Sequence, residues 1–85
     1  MERDEILKGL REVMATVKPK VMAERIVPEA ILSDDLGIDS FSMLLLSLAA
    51  EQKFGIAFDP GKPFVSVSDI MEYIITRKGA VDDRG

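Results

Sequence analysis

Apolar residues near the start of the chain recur at Ile6, Leu7, Leu10, Val13, Met14 and Val17, with Arg3, Glu5, Lys8, Arg11 and Glu12 between them. Recurrence at three to four residues with charge on the other face predicts an amphipathic helix. Pro19 ends it, because the residue before a proline is pushed out of the α region. A second helix should run from Ser40 to Phe54, with Gly55 as its C-terminal stop. A third has Val67, Ile70, Met71, Ile74 and Ile75 as its apolar positions. It should begin between Ser66 and Ser68, since Ser68 and Asp69 supply cap chemistry and a favourable first-turn charge. Gly79 should close it. Residues 1–78 are therefore expected to form one domain, with 79–85 a polar, fraying C-terminal tail.

The segments between the helices differ in kind. Residues 21–38 form a long connection with apolar anchors at Val21, Met22, Ile26, Val27, Ile31, Leu32, Leu36 and Ile38, punctuated by Pro28 and Gly37. Pro28–Leu32 is expected to make a short turn of helix, and the anchors should pin the connection across the bundle. A connection of this length without structure of its own is uncommon in a compact domain and often functional. The later link, Ile56 to Pro63, is rich in turn residues and leaves room for one short helical turn before the last helix. The only strand-like stretch, Phe64–Val67, is too short to count. The expected fold is all-α, a small bundle of three main helices.

Composition narrows the chemistry. Eighty-five residues make one small domain with a single core. There is no Cys, so neither a disulfide framework nor a thiolate nucleophile is available, and there is no His to act as general base or metal ligand. The charged start, Met1-Glu2-Arg3-Asp4-Glu5, is no secretory signal. The longest apolar stretch, Phe41 to Ala50, falls well short of the roughly 20 residues needed to span a bilayer. A cytoplasmic protein with no membrane span is expected.

The net charge of −4 is unevenly laid out. Residues 26–75 hold Lys53 and Lys62 against Glu29, Asp34, Asp35, Asp39, Glu51, Asp59, Asp69 and Glu72, whereas each flank is close to neutral. An acidic middle disfavours nucleic acid, which selects basic stripes, and suits partners with basic docking patches. A merely solvated acidic surface is the plainer alternative for any one of these residues.

Candidate chemistry centres on Asp34-Asp35-Leu36-Gly37-Ile38-Asp39-Ser40, which sets a hydroxyl at the mouth of a helix among three carboxylates. Ser40 could be no more than a helix cap. As a hydrolase nucleophile it would need an adjacent base, and Lys53, thirteen residues along the same helix, is too far away. The surroundings are not G-x-S-x-G either. Asp34, Asp35 and Asp39 do not have the spacing of an EF-hand loop, so no metal site is expected.

Asp35, Leu36, Gly37, Asp39 and Ser40, with Ile38 at the free position, resemble the D-L-G-x-D-S signature of acyl carrier proteins. The order of helix, long loop, serine-led helix, short link and closing helix resembles that family across nearly the whole chain, and Phe64–Ile74 resembles its closing helix. The resemblance implies a covalent 4'-phosphopantetheine arm on Ser40, attached by a phosphopantetheinyl transferase that Asp39 helps to engage; structural capping is the alternative role for Asp39. It also implies a non-catalytic, monomeric carrier that serves acyl-loading, condensing or acyltransferase enzymes. In the fatty-acid type, the positions matching Ser42, Leu45 and Gln52 are usually acidic; here all three are uncharged, and Glu51 is the acid that keeps its charge. A specialised lipid or polyketide-type pathway is therefore expected rather than general fatty-acid synthesis. Peptidyl and aryl carriers usually show a Gly-Gly pair before the serine, where this chain has Gly37-Ile38. An unmodified helical adaptor is the reading from another class.

The second helix has two apolar faces. Met43, Leu46, Ser47, Ala50 and Phe54 share one, while Phe41, Leu44, Leu45 and Leu48 share the other. Such a helix is either buried all round or offers a patch to a partner. Both options stand from the sequence, since the long loop could cover the second face. Asp35, Phe41, Leu44, Leu45, Leu48 and Glu51 are the candidate docking residues.

Overall fold

The first apolar stripe folds as expected into α1 (Arg3–Val17), which buries Ile6, Gly9, Leu10, Val13 and Met14. At its start the Glu5 carboxylate accepts from the Glu2 N–H at 3.2 Å. At its end Lys18 N–H reaches the Met14 carbonyl, one residue before Pro19. The other helices of this computed structural model, which describes residues 2–58 and 63–82, are α2 (Ser40–Phe54) and α3 (Val67–Asp82). These three are the α-helices among the described residues.

The buried strip of α2 is Ser42, Leu46, Ala50 and Phe54, a strict run at every fourth residue. Met43 and Ser47, one step around the helix, are only half-buried. Gly55 stops α2 in left-handed backbone, φ 69°, as helix-ending glycines commonly do. Gly79 does not play that part, since α3 continues to Asp82. The short helical turn expected before α3 falls in a link whose residues 59–62 lie outside the described residues.

The long connection is pinned, though not quite as expected. Its one helical turn is a 3-10 segment at Ala23–Arg25, not at Pro28–Leu32. Residues 30–32 pair with the segment ahead of α3 instead: Leu32 N–H bonds to the Val65 carbonyl at 2.9 Å and Val67 N–H to the Ala30 carbonyl at 3.0 Å. Ser68 N–H bonds to the Pro28 carbonyl at 2.9 Å, and Ile31 and Ser66 form an isolated antiparallel bridge. Buried backbone groups need partners, and two extended stretches lying side by side satisfy one another without a sheet. Ile26, Ala30, Leu32, Leu36 and Ile38 sink into the core, whereas Met22 is exposed and anchors nothing. Arg11 holds the connection from α1 by donating to the Ile26 carbonyl at 3.1 Å.

The cap of α3 also differs from expectation. Ser66, not Ser68, serves: Asp69 N–H donates to the Ser66 hydroxyl at 3.3 Å, and Asp69 Oδ2 accepts from the Ser66 N–H at 3.1 Å. This reciprocal Ser-x-x-Asp arrangement is a capping box with Asp in place of Glu. Its position follows from the bridge, which fixes Ser66 in extended backbone.

Ion pairs link Arg3 to Glu72 and Lys53 to Glu12 across the helices. Both are exposed, and such pairs contribute little. Close packing of α1 on α2 does more. A Cβ built on Gly9 would sit 2.7 Å from the Phe54 ring, so the helices approach closely only because that position lacks a side chain. Gly9→Ala should gain about 1 kcal/mol of helix propensity and lose about 1–3 kcal/mol to overpacking against a buried ring. A lower melting temperature is expected. One that stays put or rises would show that Phe54 moves aside freely.

Candidate functional site

The aspartate before α2 fixes the geometry of the site. Asp39 has extended backbone, φ −90° and ψ −174°, and its Oδ1 accepts from the Ser42 N–H at 2.8 Å. It is therefore the N-cap of α2. That backbone hydrogen bond, with a smaller contribution from the Ser42 hydroxyl, holds the Asp39 carboxyl below the ordinary aspartate range. Both stabilise its charged form. The cap role open to Ser40 in the sequence thus belongs to its neighbour. Ser40 becomes the first residue of the helix, with its side chain exposed to solvent.

The approach to Asp39 is shaped by Gly37, whose φ of 67° is left-handed and natural for glycine alone. Around it, Asp35 N–H bonds to the Ile31 carbonyl, Gly37 N–H to the Ser33 carbonyl and Ile38 N–H to the Leu32 carbonyl. Asp35 closes the same turn with its side chain, since Oδ2 accepts from the Ile31 N–H at 2.7 Å. The D-L-G-x-D-S segment is thus a folded turn in which each Asp has a structural bond, and it delivers Ser40 to the helix mouth. No group of three or more acidic, His or Cys side chains among the described residues is arranged to hold a metal ion.

A groove of about 740 Å³ opens at Ser40. Asp39, Ser40, Met43, Leu44, Ser47, Leu48 and Glu51 form one wall along α2. Leu32, Ser33 and Ile38 of the connection, with Phe58, Pro63, Phe64 and Val65, form the rest. Leu32 and Val65, joined by the backbone pairing, thus stand together on one side of the groove, and the half-buried Met43 and Ser47 line it from α2. Sequence reasoning missed this wall, because a single bridge between residues far apart in the chain has no local pattern.

The docking residues expected from the sequence divide. Phe41, Leu44, Leu45 and Leu48 are 68%, 55%, 38% and 52% exposed, so the second face of α2 is not covered by the loop. Leu44 and Leu48 also line the groove, which makes them the ridge between patch and groove. Glu51 faces the groove and is half-buried, with its Oε2 accepting from the Phe58 N–H at 2.8 Å.

Comparison with known proteins agrees with this architecture. The profile of the family described as "Phosphopantetheine attachment site" matches residues 8–74. The chain is 40% identical to an acyl carrier protein of Thermobifida fusca over 72 residues, spanning 82% of this chain and 90% of the relative. Identity is 37% over 76 residues with one from Acidothermus cellulolyticus, spanning 87% and 89% of the two chains. With one from Myxococcus xanthus it is 36% over 74 residues, spanning 85% and 92%. The chain belongs to the acyl carrier protein family. The cofactor of that family is covalently attached 4'-phosphopantetheine. An acyl carrier protein interacts with enzymes that act on its cargo, and no helix among the described residues is long and apolar enough to cross a membrane. The residues present fit the cofactor: an exposed hydroxyl sits in a first helical turn, where backbone N–H groups lack intrahelical partners and favour a phosphate.

The cap makes a pH-dependent prediction. Because folding lowers the Asp39 pKa, its contribution is complete above the ordinary aspartate range. It is lost as pH falls from that range through the depressed folded value. Asn caps about as well as Asp and does not titrate there. Any stability advantage of the native protein over Asp39→Asn should shrink as pH is lowered through the acid range in melting experiments. Parallel loss in both proteins would show that the Asp39 carboxylate is not the titrating cap.

Proposed function

We propose that Ser40 is the residue that carries 4'-phosphopantetheine, in a non-catalytic, cytoplasmic, monomeric acyl carrier of a specialised lipid or polyketide-type pathway. The observation that carries this reading is the division of labour at the helix mouth. Asp39 makes the cap, while Ser40 stands exposed at the opening of an apolar groove. A serine needed only to start the helix would be making that bond itself.

Without His or Cys in the chain, Ser40 has no neighbour to take its proton, so the base must come from the transferase. In the transfer the Ser40 oxygen bonds to the phosphorus of coenzyme A that bears pantetheine. The phosphoanhydride bond breaks, the nucleotide half leaves with its electron pair, and the hydroxyl proton passes to the enzyme. Asp39, exposed and held in its charged form, supplies an anionic mark beside the target hydroxyl for that enzyme to read. The attached arm supplies a terminal thiol on which acyl groups travel as thioesters.

The patch supports the pathway reading. Phe41, Leu44, Leu45 and Leu48 offer an apolar surface, and Leu45 within it stands where general fatty-acid carriers usually show an acid. Asp39, exposed, stands at the N-terminal end of the same helix. A partner enzyme with an apolar centre and a basic rim fits that distribution. Four exposed side chains fall far short of the roughly 20–30 residues a side of a stable interface, which suits a carrier that docks briefly and moves on.

Two measurements test the reading. Incubation with coenzyme A and a broad transferase should add one phosphopantetheine to the intact mass, and Ser40→Ala should abolish the gain. Since Asp39 keeps the cap, that variant should melt within about 0.5 kcal/mol of the native protein. Modification that persists without Ser40, or that no transferase produces, would overturn the assignment. For the patch, Leu45→Glu should keep the melting temperature within a few degrees, lose affinity for the cognate enzyme and gain exchange with general fatty-acid enzymes. A loss approaching the roughly 2–5 kcal/mol of an emptied core leucine would place Leu45 in the core and end the docking reading.

A further inference from the structure

The buried strip of α2 begins with a residue whose polarity sets it apart. Ser42, 7% exposed, is the buried polar side chain among the described residues, and Leu46, Ala50 and Phe54 continue its strip. A hydroxyl taken out of water costs free energy unless it finds a hydrogen bond. The acceptor at hand is the Asp39 carboxylate, three residues back on the same face of the helix. Asp39 Oδ1 already accepts from the Ser42 N–H at 2.8 Å, and the Ser42 hydroxyl donates to the same carboxylate. One residue thus supplies Asp39 with two donors, one from its backbone and one from its side chain. An α-helix turns by about 100° per residue, so Ser42 faces the core where Ser40, two residues earlier, faces solvent. Asp39, itself exposed, stands next to Ser40 and is held by Ser42.

We propose that Ser42 is a positioning residue for the modification of Ser40: its hydroxyl and its N–H together fix the Asp39 carboxylate in one orientation beside the target hydroxyl. The proposal rests on Ser40 as the attachment residue and on Asp39 as the anion that the transferase reads. A carboxylate held by one cap bond can still rock about its side-chain torsions. A second donor removes that freedom, so less ordering remains to be done when the enzyme docks. The second bond also favours the charged form. Other charges near Asp39 do not replace this hold. Lys18, at the C-terminal end of α1, acts on Asp39 in the same direction but more weakly than the hydroxyl. The carboxylates of Asp34, Asp35 and Glu51 are engaged with the Ser33 hydroxyl and with the Ile31 and Phe58 N–H groups. Ser42 itself is buried away from the approaching enzyme and acts only through Asp39.

The test uses the unmodified protein, coenzyme A and a broad phosphopantetheinyl transferase. Ser42→Ala removes the hydroxyl and keeps the N–H that the cap needs, so the helix start should survive. The Asp39 carboxyl, followed by carbon NMR against pH, should titrate higher in Ser42→Ala than in the native protein, because a bond to its charged form is gone. KM for the carrier should rise about two- to tenfold, the scale of one hydrogen bond, with kcat little changed. Ser42→Thr keeps the hydroxyl and should restore both. In an Asp39→Ala background, Ser42→Ala should add nothing further to KM, because no carboxylate is left to hold. The role is overturned if Ser42→Ala leaves either the titration or KM unmoved, or if KM rises equally in the Asp39→Ala background. Failure of the native protein to gain mass at Ser40 would instead overturn the attachment reading and the positioning role with it, while the titration would still report whether the hydroxyl holds Asp39.

Discussion

The backbone pairing between the long connection and the start of α3 is the constraint on which the site depends. Between Val17 and Ser40 the chain has only one 3-10 turn of helical structure, so its buried peptide groups must find partners elsewhere. Leu32, Val67 and Ser68 donate across to Val65, Ala30 and Pro28. Those bonds fix where Leu32 and Leu36 enter the core, and the turn built on Gly37 then has one place to end. Asp39 arrives at the mouth of α2 from that turn. The same pairing extends Ser66 for its capping role and raises one wall of the groove. A loop docked only through its apolar side chains could slide; one joined by backbone hydrogen bonds cannot do so without losing them together.

Polar side chains in this small domain serve geometry before they serve function. Asp35 closes its turn, Asp39 caps α2, Asp69 caps α3 and Glu51 fixes Phe58. Among the described residues no buried side-chain oxygen or nitrogen is left without a hydrogen bond, as a core of this size requires. Against that background Ser40 differs from its neighbours: it closes the motif, yet the helix start is built by Asp39. A side chain that the local structure does not use is free for chemistry brought by another protein.

The periodic parts of the fold were legible in the sequence. The stripe from Ile6 to Val17, Pro19 after it, and Ser40, Phe54 and Gly55 at the ends of α2 all depend on contacts within a few residues. What was not legible depends on partners distant in the chain. Pro28–Leu32 looked like a helical turn because it was read without Val65 and Val67 beside it. Ser68 looked like a cap because Ser66 becomes extended only when Ile31 lies across from it. The structural bonds of Asp35 and Glu51 were not foreseen because their donors, the Ile31 and Phe58 N–H groups, are backbone amides, which leave no mark in residue identity. The two faces of α2 were recognised, but exposure of the second turned on how far the loop reaches.

The ridge formed by Leu44 and Leu48 joins the patch and the groove of α2. Both side chains are more than half exposed on the patch side, and both line the groove on the other. A partner that packs on the patch must press on the residues that wall the groove, so the two surfaces cannot be independent. Interactions through shared side chains are the usual source of non-additive energies. Thermodynamic linkage makes the coupling reciprocal: if a group seated in the groove props Leu44 and Leu48 in one arrangement, a partner that prefers another must loosen that group to bind.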